Sequence, residues 1–247
     1  MFKIHKESNE LIIVIHEIYG INKHMTDFCE VLSEQNFDVI CPNLLEQEIP
    51  FDYFQEEEAY LNFMNNVGIT NGFNQIKNIL FNSKDEYSKI FIIGFSAGAT
   101  ISWLCSELEY VDGIVGYYGS RIRDYVNLSP KCPTLLFFPQ AEKSFHVHDL
   151  ISSLDKQGIN VHLCSGEHGF SDPYSHKYNE ESDQYTYREL LKFLRNNWVF
   201  TLERAHLHES SYKEKLSLIA SLSMILNSGD VSRTPLACPE EIFSSFR

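Results

Sequence analysis

The chain has 247 residues, of which 43% are hydrophobic and 13% aromatic, enough to bury the core of one α/β domain. Its formal net charge of −14 leaves no basic stripe to neutralise phosphates, which excludes a nucleic-acid partner and assigns the acidic excess to solubility. No stretch approaches a membrane span or an extended signal core, so the expectation is no membrane association and a cytoplasmic location.

Leu11 to Ile15 is a continuous apolar run, too short for a helix and too uniform for a surface strand, and is predicted as an interior strand buried on both faces. A strand near Phe2 to His5 is expected to pair with it. After the loop His16-Glu17-Ile18-Tyr19-Gly20-Ile21-Asn22, the spacing of Phe28, Val31 and Leu32 predicts a helix over 26–35, and Phe37 to Cys41 reads as a strand stopped by Pro42. This is a β-loop-α-β unit of the kind that builds parallel sheets. The stretch from Asn43 to Ser83 is less regular: an acidic run at Glu56, Glu57 and Glu58 reads as a solvated helix face, and a second helix is expected over 70–81.

Ile90 to Ile93 then meets Gly94-Phe95-Ser96-Ala97-Gly98 and passes directly into a helical pattern. A buried strand, a sharp turn and a helix around Gly-x-Ser-x-Gly is the setting of a nucleophile elbow, in which the serine hydroxyl stands at the strand end. Further strands are predicted at 113–119, 134–138 and 160–164, with helices over 150–158 and 180–198. Such alternation predicts a mostly parallel, doubly wound sheet with helices on both faces, an α/β-hydrolase fold occupying residues 1–200. Residues 201–247 have helical spacing through Leu216, Ile219, Ala220, Leu222 and Ile225 and a loop-rich end, read as a C-terminal helical extension that covers the domain or forms a homodimer contact. Six cysteines without a Cys-x-x-Cys pair read as reduced residues and not as a disulfide frame or zinc site; no metal and no cofactor are expected.

A serine needs a base to take its proton, and that base needs a third group to orient it. Ser96, an acid after a later strand and a histidine after the last strand follow the chain order of α/β-hydrolases. His168, between glycines just beyond the final strand, is the candidate base. Glu142 is the carboxylate after strand 134–138 and the candidate acid, with Asp149 and Asp172 as weaker alternatives. The oxyanion hole falls to the amides of Ala97, after the nucleophile, and Ile18, in the early loop. Whether His16 and Glu17 stabilise that loop or face substrate is open at this point.

With these residues in place, the chain resembles the dienelactone hydrolase family. The early loop His16 to Asn22, the elbow Gly94 to Gly98, the strand Gly116-Tyr117-Tyr118-Gly119 and His168-Gly169-Phe170 carry the resemblance in register over about residues 10–198. It implies attack on an ester or lactone carbonyl, an acyl-enzyme and hydrolysis by water, and Glu17 matches the family's early-loop glutamate that helps control the cysteine thiol. Glu17, Tyr19, Phe95 and Tyr118 are expected to be the substrate-binding residues. The chain departs from the family in three places. Ser96 stands where the family characteristically has cysteine, Glu142 where it has aspartate, and the region of Asp172 where it has a substrate-binding arginine. The resulting expectation is a serine hydrolase of a small-molecule ester, lactone or thioester; the alternatives are a non-catalytic binding protein of the same fold, and an acyltransferase using the same site.

Overall fold

The structure, a computed structural model, describes residues 1–45 and 47–196. The expectations for residues 201–247, a helical extension with a covering or dimer-forming role, lie outside the described residues.

Seven strands form one sheet in the order β1-β3-β2-β4-β5-β6-β7. They are β1 (Phe2–Ile4), β2 (Glu10–Ile15), β3 (Asp38–Cys41), β4 (Lys89–Phe95), β5 (Gly113–Tyr117), β6 (Thr134–Pro139) and β7 (Asn160–Cys164). All neighbours are parallel except β1, which runs antiparallel to β3 with Lys3 opposite Ile40. The expected pairing of the first strand with Leu11 to Ile15 is therefore corrected: β2 is flanked by β3 and β4, and β1 takes the sheet edge beyond β3. Expectation and structure agree on the parallel, doubly wound character of the sheet.

The uniform apolar runs divide by parity. Leu11, Ile13 and Ile15 of β2 and Ile90 and Ile92 of β4 belong to one core layer, whereas Ile12, Val14, Phe91, Ile93 and Phe95 belong to the other. Successive strand side chains point to opposite faces, so both faces of the sheet require cover. The first layer packs against α3 (Gly68–Ser83), α4 (Ala97–Cys105) and α5 (Val147–Asp155), through Ile76, Ile101 and Leu150 among others. A shorter helix, α2 (Glu56–Asn62), adds Ala59 to the same layer. The acidic run Glu56 to Glu58 forms the first turn of α2, where negative charge is favoured by the helix dipole.

The second layer is covered by α1 (Lys23–Ser33) and by α6, the helix over 180–196. Met25, Cys29 and Leu32 make the buried stripe of α1, and Asn22 caps it by accepting from the Met25 amide at 3.2 Å. Ser182, Thr186, Leu190 and Leu194 recur every four residues on the buried side of α6. No helix among the described residues is long and apolar enough to cross a membrane.

Asp38, fully buried at the start of β3, closes the edge of the sheet. Its carboxylate accepts from the amides of Lys6 (2.7 Å) and Ser8 (3.1 Å), the Tyr87 hydroxyl (2.9 Å) and His5 Nδ1 (2.5 Å). Burial alone would raise its pKa; the two amides, with Tyr87 and His5, outweigh burial and hold it below the ordinary aspartate value. Removing the carboxylate strands two amides and a hydroxyl, so Asp38→Ala is expected to cost about 3 kcal/mol in urea denaturation at pH 7. A depressed folded-state pKa contributes stability above the unfolded-state value and loses it as pH falls through the folded one. The gap between wild type and Asp38→Ala should therefore narrow below about pH 4; an unchanged gap at low pH would contradict the assignment.

Candidate active site

Strand order places a switch point between β2 and β4: the chain leaves β2 toward β3 on one side and later returns to build β4 to β7 on the other. Loops at the carboxyl ends of the two strands diverge there and leave a crevice. The loop after β2 carries Ile18, and the end of β4 carries Ser96.

Ser96 sits in a strained turn, with φ 52° and ψ −112°. Such a conformation costs a non-glycine residue about 1–3 kcal/mol and persists only where its surroundings enforce it. Here the Ser96 amide donates to Tyr117 O at 2.9 Å, and Ser96 O accepts from the Thr100 amide at 3.2 Å, which fastens the turn to β5 and to the first turn of α4. The flanking glycines are required by close approach. A Cβ on Gly94 would fall 2.2 Å from Gly98 O, and one on Gly98 would fall 2.2 Å from Ile15 O and 2.7 Å from His16 O.

β6 and β7 are neighbours, and the Gln140 amide donates to Cys164 O at 2.9 Å, so the loops that follow them emerge side by side. One loop carries Glu142, the other His168. Ser96 Oγ–H donates to His168 Nε2 at 2.8 Å, and His168 Nδ1–H donates to Glu142 Oε1 at 2.7 Å. A carboxylate only accepts, so Nδ1 carries the ring proton and Nε2 is left to accept from the serine. The Glu142 side chain is almost wholly buried, at 6%, while the His168 side chain remains 29% exposed. Asp149 and Asp172 take no part in this line: Asp149 lies in the first turn of α5, and Asp172 bonds to Tyr53. The histidine loop is ordered by successive turns, Phe170 N to Glu167 O (3.0 Å) and Asp172 N to Gly169 O (3.1 Å), and anchored by the fully buried Phe170.

Ile18 and Ala97 line the same pocket as Ser96 and His168, and among the described residues neither backbone amide has a protein acceptor. His16, whose role the sequence left open, is a loop residue: it is fully buried, its Nδ1 donates to Glu17 O at 2.5 Å, and its Nε2 accepts from the Leu44 amide at 2.9 Å. Burial drives its pKa down to about 4, so it stays neutral and holds this tautomer. The carbonyl it grips belongs to the peptide unit whose N–H is that of Ile18. In a planar trans peptide the N–H points opposite the C=O, so fixing one fixes the other.

The pocket has a volume of about 360 Å³ and is walled by Ile18, Tyr60, Phe63, Met64 and Ile69, with Arg121, Lys143 and Lys177 among its charged residues. Tyr60, Phe63, Met64 and Ile69 come from the irregular stretch after β3, which thus walls the pocket. The four side chains assigned to substrate binding are placed elsewhere, and this corrects the expectation. Glu17, Tyr19, Phe95 and Tyr118 are all buried and do not line the pocket. Phe95 shares the parity of Phe91 and Ile93 and stacks on Tyr117 at 4.7 Å in the second core layer. Tyr19 packs edge-on against Tyr53 at 5.1 Å. Tyr118, at φ 43°, has its ring 4.9 Å from that of His168 and donates its hydroxyl to Glu17 Oε1 at 2.9 Å. Glu17 is pushed up to about 7, first by burial and then by the nearby charge of Asp172.

Comparison with known proteins matches the sequence to a family. The sequence pattern of the dienelactone hydrolase family fits residues 2–198. An uncharacterized protein of Bacillus subtilis, YczH, is 41% identical over 172 residues, which is 68% of this chain and 84% of that one. The carboxymethylenebutenolidase of Pseudomonas putida is 25% identical over 130 residues, covering 49% of this chain and 55% of that enzyme. Among solved structures, a putative dienelactone hydrolase of Klebsiella pneumoniae superposes with a TM-score of 0.62 at 19% identity, over 74% of this chain and 85% of that one, a likeness of fold. The chain belongs to the dienelactone hydrolase family, whose members are hydrolases of the α/β-hydrolase fold acting on ester bonds.

Proposed function

We propose that this chain is a serine hydrolase that opens a small ester, lactone or thioester through an acyl-enzyme on Ser96. The observation that carries the reading is the unbroken line Glu142, His168, Ser96, with contacts of 2.7 and 2.8 Å at the mouth of a pocket sized for a small molecule. Ser96 Oγ attacks the carbonyl carbon while His168 Nε2 takes its proton, and the buried Glu142 carboxylate stabilises the imidazolium that forms. The Ile18 and Ala97 amides receive the developing oxyanion, the first held in aim by His16. His168 then returns the proton to the leaving oxygen or sulfur, and water repeats the sequence to release the acid.

A non-catalytic binding protein of this fold would have no need to keep the acid on the base. The 2.7 Å contact of Glu142 with His168 speaks against that alternative. The P. putida relative's name makes a lactone a natural member of a test panel alongside short acyl esters and thioesters.

Ser96→Ala is expected to abolish fluorophosphonate labelling and lower kcat/KM on the best ester of such a panel by at least about 10³-fold, with His168→Ala similar. Glu142→Gln should fall about 10²- to 10⁴-fold, because it holds the ring in the wrong tautomer. Equal activity in wild type and the first two variants would dismiss the site. The strained turn yields a separate expectation for stability. Ser96→Gly relieves the positive φ against the ordinary entropic cost of glycine, and should be inactive yet more stable by about 1 kcal/mol in urea denaturation.

A further inference from the structure

Behind the pocket, three ionisable side chains that the proposed reaction does not use converge from separate segments. Glu17 comes from the loop after β2, His24 from the first turn of α1, and Asp172 from the loop that carries His168. They are 6%, 3% and 1% exposed, and their donor atoms lie within 4.8 Å of one another.

Their arrangement is not that of a hydrogen-bonded cluster. His24 Nδ1 is buried without a hydrogen-bond partner among the described residues, and it faces Asp172 Oδ2 at 3.8 Å, beyond hydrogen-bond reach. A neutral imidazole leaves one of its ring nitrogens unprotonated, and such a nitrogen is a donor suited to a metal. The two carboxylates beside it repel one another in a buried setting. Each is steadied by a hydroxyl: Tyr53 donates to Asp172 Oδ2 at 2.5 Å, and Tyr118 to Glu17 Oε1 at 2.9 Å. The Tyr174 amide holds Asp172 Oδ1 at 2.9 Å. Carboxylate oxygens retain further lone pairs when they accept one such bond, and hydrogen bonds of this kind are what orient metal ligands.

We propose that Glu17, His24 and Asp172 form a buried binding site for a divalent first-row transition ion, with Zn²⁺ as the representative. Two carboxylates neutralise the double charge of the ion, and the imidazole supplies the nitrogen that Zn²⁺, Co²⁺ and Mn²⁺ accept and that Mg²⁺ and Ca²⁺, which favour shells of oxygen, do not require. The ion would tie three segments together: the loop bearing Ile18, the start of α1 and the loop bearing His168. Its role is structural, since none of the three ligands lines the pocket. No short-range motif announces the site, because Asp172 joins Glu17 and His24 only through the fold.

The test uses the full chain, stripped with a chelator and dialysed, then titrated with ZnCl₂ by calorimetry and with CoCl₂ by visible absorption, without substrate. Wild type should bind one equivalent per chain, gain thermal stability with Zn²⁺, and develop the d–d bands of a Co²⁺ ion ligated by protein. MgCl₂ should bind at least about tenfold more weakly. His24→Ala and the isosteric Glu17→Gln should each weaken Zn²⁺ binding at least about tenfold and abolish the thermal shift, with near-ultraviolet circular dichroism reporting whether each variant is folded before titration. Should one variant fail to fold, the other decides. Absence of stoichiometric Zn²⁺ binding by wild type, as expected if the two carboxyls merely share a proton, overturns the proposal. So does binding of unchanged affinity in a folded variant, which would place the ion on other histidines. Because every readout is independent of turnover, failure here leaves the esterase reading intact, and failure of that reading leaves this one.

Discussion

The contact on which the rest of the site depends is the approach of Gly98 to the carbonyls of Ile15 and His16, where even a methyl group would lie 2.2 Å from an oxygen. It lets the first turn of α4 press directly on the carboxyl end of β2. Two elements far apart in sequence then present their free amides, Ala97 and Ile18, to one pocket. Had the helix stood off by the width of a side chain, the serine would keep its turn but the two amides would no longer share one pocket. Backbone packing, more than any catalytic side chain, sets the geometry here.

Around that contact the site is assembled by strand adjacency. β6 and β7 deliver Glu142 and His168 from neighbouring strand ends, and a buried neutral histidine clamps the peptide that carries Ile18. Each of these devices removes a degree of freedom before substrate arrives. In the proposed mechanism, the charge that develops during acyl transfer meets dipoles already in position, which is where most enzymatic stabilisation originates.

Much of this could be read from the sequence, and the reasons are specific. Leu11 to Ile15 and Ile90 to Ile93 are too continuous to be anything but interior strands, and Gly94-Phe95-Ser96-Ala97-Gly98 between a strand and a helix admits few geometries. Glu142 was legible as the carboxylate at its strand end. Pocket walls were harder. Phe95 adjoins the serine in sequence, yet strand alternation sends it with Phe91 and Ile93 into the opposite core layer, a parity that was available and decisive. Tyr118 had no such signal, because its positive φ breaks the alternation at the strand end. The edge position of β1 was hidden for another reason: sheet order is settled by long-range pairing, and the Asp38 bonds to Lys6 and Ser8 that hold the β1 end to β3 have no local pattern.

The backbone at Ser96 carries a consequence for how such proteins diversify. Its φ of 52° is imposed by neighbouring hydrogen bonds and glycines and owes nothing to the atom beyond Cβ. Oxygen and sulfur can therefore trade places on an unchanged scaffold, and one nucleotide separates some serine codons from cysteine codons. What the exchange moves is the burden of ionisation. A thiol gives up its proton near pH 8.5 unaided, whereas a hydroxyl relies wholly on its base. On the proposed reading, the Glu142–His168 pair of this chain is the counterpart of that exchange: basicity that a sulfur nucleophile could carry in itself falls to the partners of the serine.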